Sequence, residues 1–175
     1  FPKNYTDADL RRRSYEAMRV VVDKALHERQ PGGAILNRKE LLTLASIIEK
    51  ETGIPSERRE IAGVFVRRLQ KGMRLQTDPT VIYGLGENYR GVIYRSDLQR
   101  DTPYNTYTRD GLPPTPIAMP SREAIFAAVN PSPGTTLYFV AKGDGSGEHV
   151  FTSTLEAHNR AVAEYRKRIR NGSQE

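Results

Sequence analysis

Leu41-Leu-Thr-Leu-Ala-Ser-Ile-Ile-Glu49-Lys-Glu51-Thr52 reads as a short helix with carboxylates at the edges of an otherwise apolar surface. At about 100° per residue, Leu41, Leu42, Leu44, Ala45, Ile47 and Ile48 fill one broad face, and Thr43, Ser46 and Lys50 cluster opposite. Glu49 projects between the directions of Ala45 and Leu42, and Glu51 between those of Leu44 and Ile47. A carboxylate beside apolar neighbours loses hydration, which disfavours its charged form and raises its pKa. That is how a glutamic acid stays protonated near neutral pH and serves as a general acid. The competing reading is a helix end whose two glutamates reach into water. Periodicity by itself favours that second reading, because charged residues commonly flank an apolar stripe.

Working outward, Asn37 to Glu40 supplies a capping pattern for this helix, and Gly53 and Pro55 close it. Upstream, Thr6-Asp-Ala-Asp9 reads as a capping box, followed by Leu10, Met18, Val21, Val22 and Leu26 at near-helical spacing. Arg11-Arg12-Arg13 falls on a solvated side of that helix, and Pro31-Gly32-Gly33 is expected to end it. Downstream, a helix from about Glu57 to Lys71 stacks Ile61, Phe65 and Leu69, with Gly72 as its stop. Its arginines, Arg58, Arg59, Arg67 and Arg68, are expected to be solvated or paired with nearby glutamates.

Residues 75–120 are punctuated by Gly84, Gly86, Gly91, Gly111, Pro103, Pro113, Pro114, Pro116 and Pro120, and read as a long irregular segment. Val81-Ile82-Tyr83 and Val92-Ile93-Tyr94 are expected to be brief strands or turns within it. A segment of this length without regular structure is usually functional or disordered. Its Tyr, Asn, Thr and Gln content argues for an ordered binding surface. Ser121 then caps a helix through Ala128. Leu137–Ala141 and His149–Phe151 form a hairpin across the turn Gly143–Gly147. A last helix from about Leu155 to Ile169 is expected to bury Leu155, Val162, Tyr165 and Ile169, with Asn171 to Glu175 frayed. The expected class is α+β: one helix-rich domain over residues 1–175, a small antiparallel sheet, and a long Gly/Pro-rich substrate-binding segment.

Composition narrows the function. The 175 residues carry 27 Lys and Arg against 21 Asp and Glu, a net charge of +6, with 37% hydrophobic residues and no cysteine. That is long enough to bury a core. It excludes disulfides, thiolate metal sites and cysteine nucleophiles. The positive charge suits anionic partners, but the basic residues are spread rather than striped and no nucleic-acid module is present. No apolar run of 18 residues or signal-like segment occurs. His27, His149 and His158 lack metal-ligand spacing, so no metal and no cofactor is expected; His149 is placed near a groove and the other two in packing. Walker, dinucleotide and nucleophile-elbow motifs are absent. If the chemistry is glycoside cleavage, which usually takes two carboxylates, Glu51 points to a different side of the helix from Glu49, and Asp78, in Gln76-Thr-Asp-Pro-Thr80, is the best remaining second candidate. An Asp before Pro equally well orders a turn. Tyr104-Asn105-Thr106-Tyr107 suits a carbohydrate groove, with apolar ring faces for sugars and amide and hydroxyl partners for acetamido groups.

The motifs Ala45-Ser-Ile-Ile-Glu49-Lys-Glu51-Thr52 and Gly72-Met-Arg-Leu-Gln76-Thr-Asp78-Pro-Thr80-Val-Ile-Tyr83-Gly84 come first in a series. Tyr104–Tyr107, Gly111-Leu-Pro-Pro114, Asn130-Pro131, Leu137-Tyr-Phe-Val140 and His149-Val-Phe151 follow in order. Together they resemble the YceG-like family of endolytic murein transglycosylases, a likeness specific because so many motifs run in sequence. The resemblance implies that the first glutamate of the Glu-Lys-Glu-Thr motif, Glu49, is catalytic. It implies Gln76, Thr77, Asp78, Tyr104, Asn105, Thr106 and Tyr107 as substrate-binding residues. It further implies a single acid that protonates the oxygen between N-acetylmuramic acid and N-acetylglucosamine, then deprotonates the muramic acid 6-hydroxyl, leaving a 1,6-anhydro end. Peptidoglycan strands are the implied substrate, ending of nascent strand elongation the implied role, and peptidoglycan synthases the implied protein partners. Because the sequence starts at Phe1 inside ordered-looking sequence, a longer protein is expected. In it an upstream membrane anchor and LysM-like region would hold the domain at the extracytoplasmic face of the inner membrane. Two alternatives remain open at this point: a lysozyme-like muramidase using water, and a non-catalytic binder of anionic polymers.

Overall fold

The computed structural model describes residues 5–29, 35 and 37–172. In chain order these form α1 (Asp7–His27), α2 (Arg38–Glu51), a 3-10 turn (Pro55–Glu57), α3 (Arg58–Gln70), α4 (Asp78–Leu85), a second 3-10 turn (Gly86–Asn88), α5 (Arg95–Gln99), α6 (Arg122–Val129), β1 (Tyr138–Ala141), β2 (His149–Thr152) and α7 (Leu155–Gly172). The class is α+β, with one two-stranded antiparallel sheet among the described residues.

Helix α2 is the hub. It packs on α6 most extensively, and on α3, α1 and α4. Leu41, Leu44, Ala45, Ile47 and Ile48 are fully buried, each large side chain contributing about 2 kcal/mol of transfer free energy. The polar side expected to face water is buried as well: Thr43 and Ser46 are both inaccessible. Their short hydroxyls bond within the helix, Thr43 Oγ1 to the Lys39 carbonyl (2.8 Å) and Ser46 Oγ to that of Thr43 (2.7 Å). Ser46 Oγ also accepts the Ile117 amide at 3.0 Å, tying the 111–120 segment over α2. Small polar residues whose hydrogen bonds are met inside a helix can be buried at little cost.

Both expected caps form. Thr6 and Asp9 make the capping box of α1, and the Asn37 side chain accepts the Glu40 amide. Arg11, Arg12 and Arg13 are exposed. The Pro31-Gly32-Gly33 stop lies outside the described residues.

Three expectations are corrected. First, Val81–Tyr83 lies in α4, and Val92–Tyr94 precedes α5 without strand pairing. Pro79 in the first turn presets a helical φ, and Val81 and Leu85, four apart, bury one face. Second, Leu155 and Ile169 are substantially exposed, and α7 continues through Asn171. An 18-residue helix is about 27 Å long, whereas strands of four residues cover only about 13 Å, so both ends of α7 overhang the hairpin.

Third, the arginines of α3 do more than the expected solvation or glutamate pairing: Arg67 does pair with Glu60 at 3.7 Å, but most of the contacts go to backbone carbonyls. Arg59 Nε donates to the Asn130 carbonyl at 2.8 Å. Arg67 reaches the Thr136 carbonyl (2.6 Å), the Ser132 carbonyl (2.8 Å) and the Thr136 hydroxyl. Arg68 Nε donates to the Leu137 carbonyl at 2.7 Å. These groups staple the irregular connection 130–137 along α3 and deliver it into β1. There Phe139 pairs across the ladder with Phe151 and meets Phe65 of α3 edge-on at 5.8 Å. Tyr138, on the other side of the pleat, stacks on His158 of α7 at 5.2 Å.

Gly63 is what lets that connection approach. A Cβ there would stand 2.6 Å from the Ser132 carbonyl oxygen and 2.7 Å from Arg67 Nη1. Gly63→Ala gains about 1 kcal/mol of helix propensity. It loses about 3 kcal/mol by overpacking against backbone and displacing the arginine staple. The expected net loss, about 2 kcal/mol, lowers Tm by roughly 4–8 °C in a thermal melt; an unchanged or raised Tm would mean that the connection is free to move aside.

Candidate active site

Helix α2 ends at Glu51, and the two glutamates of its last turn meet opposite environments. Glu49 turns toward the start of α6. Its Oε2 accepts the Ser121 amide (3.0 Å) and the Ser121 hydroxyl (2.5 Å), while Ser121 Oγ in turn accepts the Ala124 amide and caps α6. Partial burial acts to raise the Glu49 pKa, but the two Ser121 hydrogen bonds, helped by the Arg58 and Lys50 charges, outweigh it and leave the pKa below the ordinary value. Of the two readings left open for this helix end, a desolvated Glu49 with a raised pKa is the one this direction runs against.

Glu51 is the residue that burial acts on. Its carboxyl is ringed by protein, and desolvation raises its pKa to about 7. The Thr77 hydroxyl, which donates to Oε1, and the charges of His149 and Arg68 oppose this, whereas the Asp78 carboxylate adds to it. One edge of Glu51 stays open to a cleft of about 650 Å³ that Gln76, Asp78, Tyr107, Arg68 and Tyr138 also line, together with His158, Asn159 and Arg166 of α7.

The sequence-expected binding residues divide into two groups. Gln76, Asp78 and Tyr107 line the cleft with Glu51. The Tyr107 hydroxyl donates to Asp78 Oδ1 at 2.5 Å, and burial together with that bond raises its pKa, so it remains a protonated donor. Thr77, Asn105 and Thr106 are buried. Thr77 holds Glu51, and its own amide donates to Thr106 Oγ1 at 3.1 Å. Asn105 Nδ2 spends its protons on the carbonyls of Asp97, Leu98 and Arg100, and Oδ1 accepts the Tyr107 amide at 2.8 Å. These three shape the loop that aims Tyr107. Tyr104 packs on Tyr83 at 4.7 Å and bonds Thr115, away from the cleft lining.

Gln76 sits in the left-handed region, with φ of 50°, on the cleft rim. That conformation costs a non-glycine residue about 1 kcal/mol and is worse for a β-branched one. Gln76→Val is expected to lose roughly 1–2 kcal/mol in a denaturant titration and Gln76→Gly to be near neutral; equal stability of the two would show that the segment relaxes.

His149 does not line the cleft. Its amide and its Nδ1 both engage the Glu57 carboxylate, at 2.7 and 2.8 Å, which fixes β2 to the 3-10 turn after α2. His158 packs on Tyr138 as expected and also lines the cleft. Arg68, Tyr138, Asn159 and Arg166 were not singled out as site residues. Arg68 could have been found from its place eight residues before the Gln76-Thr-Asp motif, but α7 gave no motif to follow.

A helix-rich α+β scaffold that presents a buried glutamic acid to a polar, tyrosine-edged cleft has close counterparts. The family model of the YceG-like family matches residues 1–164. An endolytic murein transglycosylase of Bacillus subtilis (strain 168) is 48% identical over 126 residues, which is 72% of this chain and 34% of that protein. One of the same name from Streptococcus pneumoniae serotype 2 (strain D39) is 38% identical over 134 residues, 74% of this chain and 24% of that protein. The crystal structure of a YceG-like protein from Listeria monocytogenes superposes with a TM-score of 0.77 at 36% identity, covering 91% of this chain and 52% of that one. The chain belongs to the YceG-like family. It spans about a third of the Bacillus relative and a quarter of the Streptococcus one.

Proposed function

We propose that this chain is a lytic transglycosylase domain that cuts peptidoglycan strands internally, with Glu51 as its acid and base. The observation that carries the reading is the placement of the Glu51 carboxyl, held by the Thr77 hydroxyl at the wall of the cleft beside Asp78 and Tyr107; burial there pushes its pKa up to about 7. The protonated Glu51 carboxyl gives its proton to the oxygen joining N-acetylmuramic acid C1 to N-acetylglucosamine O4, and the C1–O4 bond breaks through an oxocarbenium-like state. The resulting carboxylate takes the proton of the muramic acid 6-hydroxyl as that oxygen bonds to C1. Glu51 is restored, no water is consumed, and the new end is a 1,6-anhydro ring. Attack from within the same sugar avoids a bimolecular encounter. Tyr107 and Asp78 act as the polar edge that orients the sugar beside Glu51. Glu49 is a positioning residue in this scheme: it braces Ser121 and the start of α6 against the turn that carries Glu51.

The names of the Bacillus and Streptococcus relatives support this substrate and chemistry. On the same reading the domain works in the cell envelope, and attachment to the membrane and contact with peptidoglycan synthases belong to a longer protein. No described helix is long and apolar enough to cross a membrane. Mass spectrometry of soluble products from purified peptidoglycan tests the proposal. Anhydro-muropeptides support it; reducing ends would make the domain a muramidase, and no product at all would leave a binder.

A further inference from the structure

Arg68 is a buried guanidinium at the wall of the same cleft, 7% exposed, and it is held unusually firmly. Nε donates to the Leu137 carbonyl (2.7 Å), and Nη1 to those of Leu75 (2.7 Å) and Arg74 (3.2 Å). The Tyr138 ring lies 5.2 Å from its Cζ. Nη2 makes no hydrogen bond among the described residues and is not one of the sealed, unpartnered atoms of the interior. A planar, permanently charged group with its position fixed by backbone and one nitrogen left over is suited to bind a carboxylate. From α7, Arg166 lines the same cleft; it and Asn159 lie seven residues apart, on one helix face. The cleft therefore carries acidic groups, Glu51 and Asp78, and cationic ones, Arg68 and Arg166. Arg68 and Glu51 share one support: Leu75, whose carbonyl anchors Arg68, is two residues from Thr77, whose hydroxyl anchors Glu51.

We propose that Arg68 and Arg166 form an anion subsite for a carboxylate on the muramic acid 3-O-lactyl arm of the sugar being cut. This rests on the peptidoglycan reading above. The reaction needs a free 6-hydroxyl on that sugar, so the anion has to come from the lactyl side. Two sources share the chemistry: the lactyl carboxylate of a strand stripped of its peptide, and a carboxylate of the stem peptide.

The test is isothermal titration of the Glu51→Gln chain, which leaves strands uncut, with three tetrasaccharides. One is stripped with free lactyl carboxylates, one is stripped with those carboxylates converted to methylamides, and one carries stem peptides. The free acid is expected to bind about tenfold tighter than the methylamide, as a charge-assisted bond against a neutral one. Adding Arg166→Gln, an exposed change, reduces that preference to about threefold. Adding Arg68→Gln abolishes it where melting shows the fold intact. If the peptide-bearing strand binds tighter than the stripped free acid, the stem peptide is the source; otherwise the lactyl group is. Equal Kd values for acid and methylamide, full preference retained with Arg166→Gln, or no binding of any strand would each overturn the subsite. Strand cleavage by the native chain, scored separately by its products, shows whether the peptidoglycan reading falls with it.

Discussion

Glu51→Gln is expected to slow formation of anhydro ends about a thousandfold, whereas Glu49→Gln keeps most of the native rate. The two side chains differ by two positions on one helix and meet different surroundings. Glu49 already accepts two hydrogen bonds from Ser121, which favour its ionised form and occupy Oε2. Those bonds hold its pKa below the ordinary carboxylate value. Glu51 keeps its proton up to about pH 7 and borders the cleft. Glutamine at 51 can still accept the Thr77 hydroxyl, so the loop 74–78 stays in place while the proton is gone. The rate of the native chain should fall tenfold per pH unit above about 7, since the first step needs the acid form. Anhydro-muropeptides quantified from a fixed peptidoglycan sample at pH 5–9 give both results. A dead Glu49→Gln beside an active Glu51→Gln would return the acid/base role to the first glutamate of the motif, where the family resemblance puts it.

Which glutamate matters is also the point at which sequence reasoning stops short. Helix α2, its Asn37 cap, the hairpin and the Ser121 cap follow from local pattern, because each depends on residues within a turn or two. The choice between Glu49 and Glu51 does not. Periodicity gives each carboxylate apolar neighbours on α2. What separates them is Ser121, 72 positions on from Glu49, and Thr77, 26 positions on from Glu51. Burial of Thr43 and Ser46 was hidden for the same reason: a polar stripe normally faces water, and the 111–120 segment that covers this one closes through the Ile117 amide. Tyr107 and Asp78, which line the cleft, stood out because their motifs are dense in polar and aromatic residues. Asn105 and Thr106 share that density but turn inward, a distinction set by the backbone carbonyls around them. The α7 side of the cleft carried no local signal, since Asn159 and Arg166 look like any exposed polar helix positions.

Glu51→Gln should also make the folded chain more stable, and the gain should depend on pH. The folded chain retains a proton on Glu51 to about pH 7, whereas the unfolded chain releases it near the ordinary glutamate value of 4.5. Between those two values the native state binds the extra proton, so stability falls as pH rises through this window, by about 1.4 kcal/mol per unit. Below the window both states are protonated and the carboxyl makes no difference; above it the full loss, about 3 kcal/mol, has been incurred and stays constant. Glutamine carries no proton to lose. The variant and the native chain should therefore melt together near pH 4. At pH 8 the variant should be higher by roughly 6–12 °C. Taking the difference of the two Tm values at each pH cancels every other titrating group, including Glu49, whose depressed pKa works in the opposite direction by stabilising the fold above its unfolded value. A difference that is flat with pH would mean that burial does not hold a proton on Glu51, and one that grows toward acid would mean that the carboxylate is the favoured form. A gain confined to neutral and alkaline pH, in a variant that no longer cuts glycan, would show that the fold gives up stability to keep a protonated carboxyl at the cleft, which a residue with only a structural role has no reason to do.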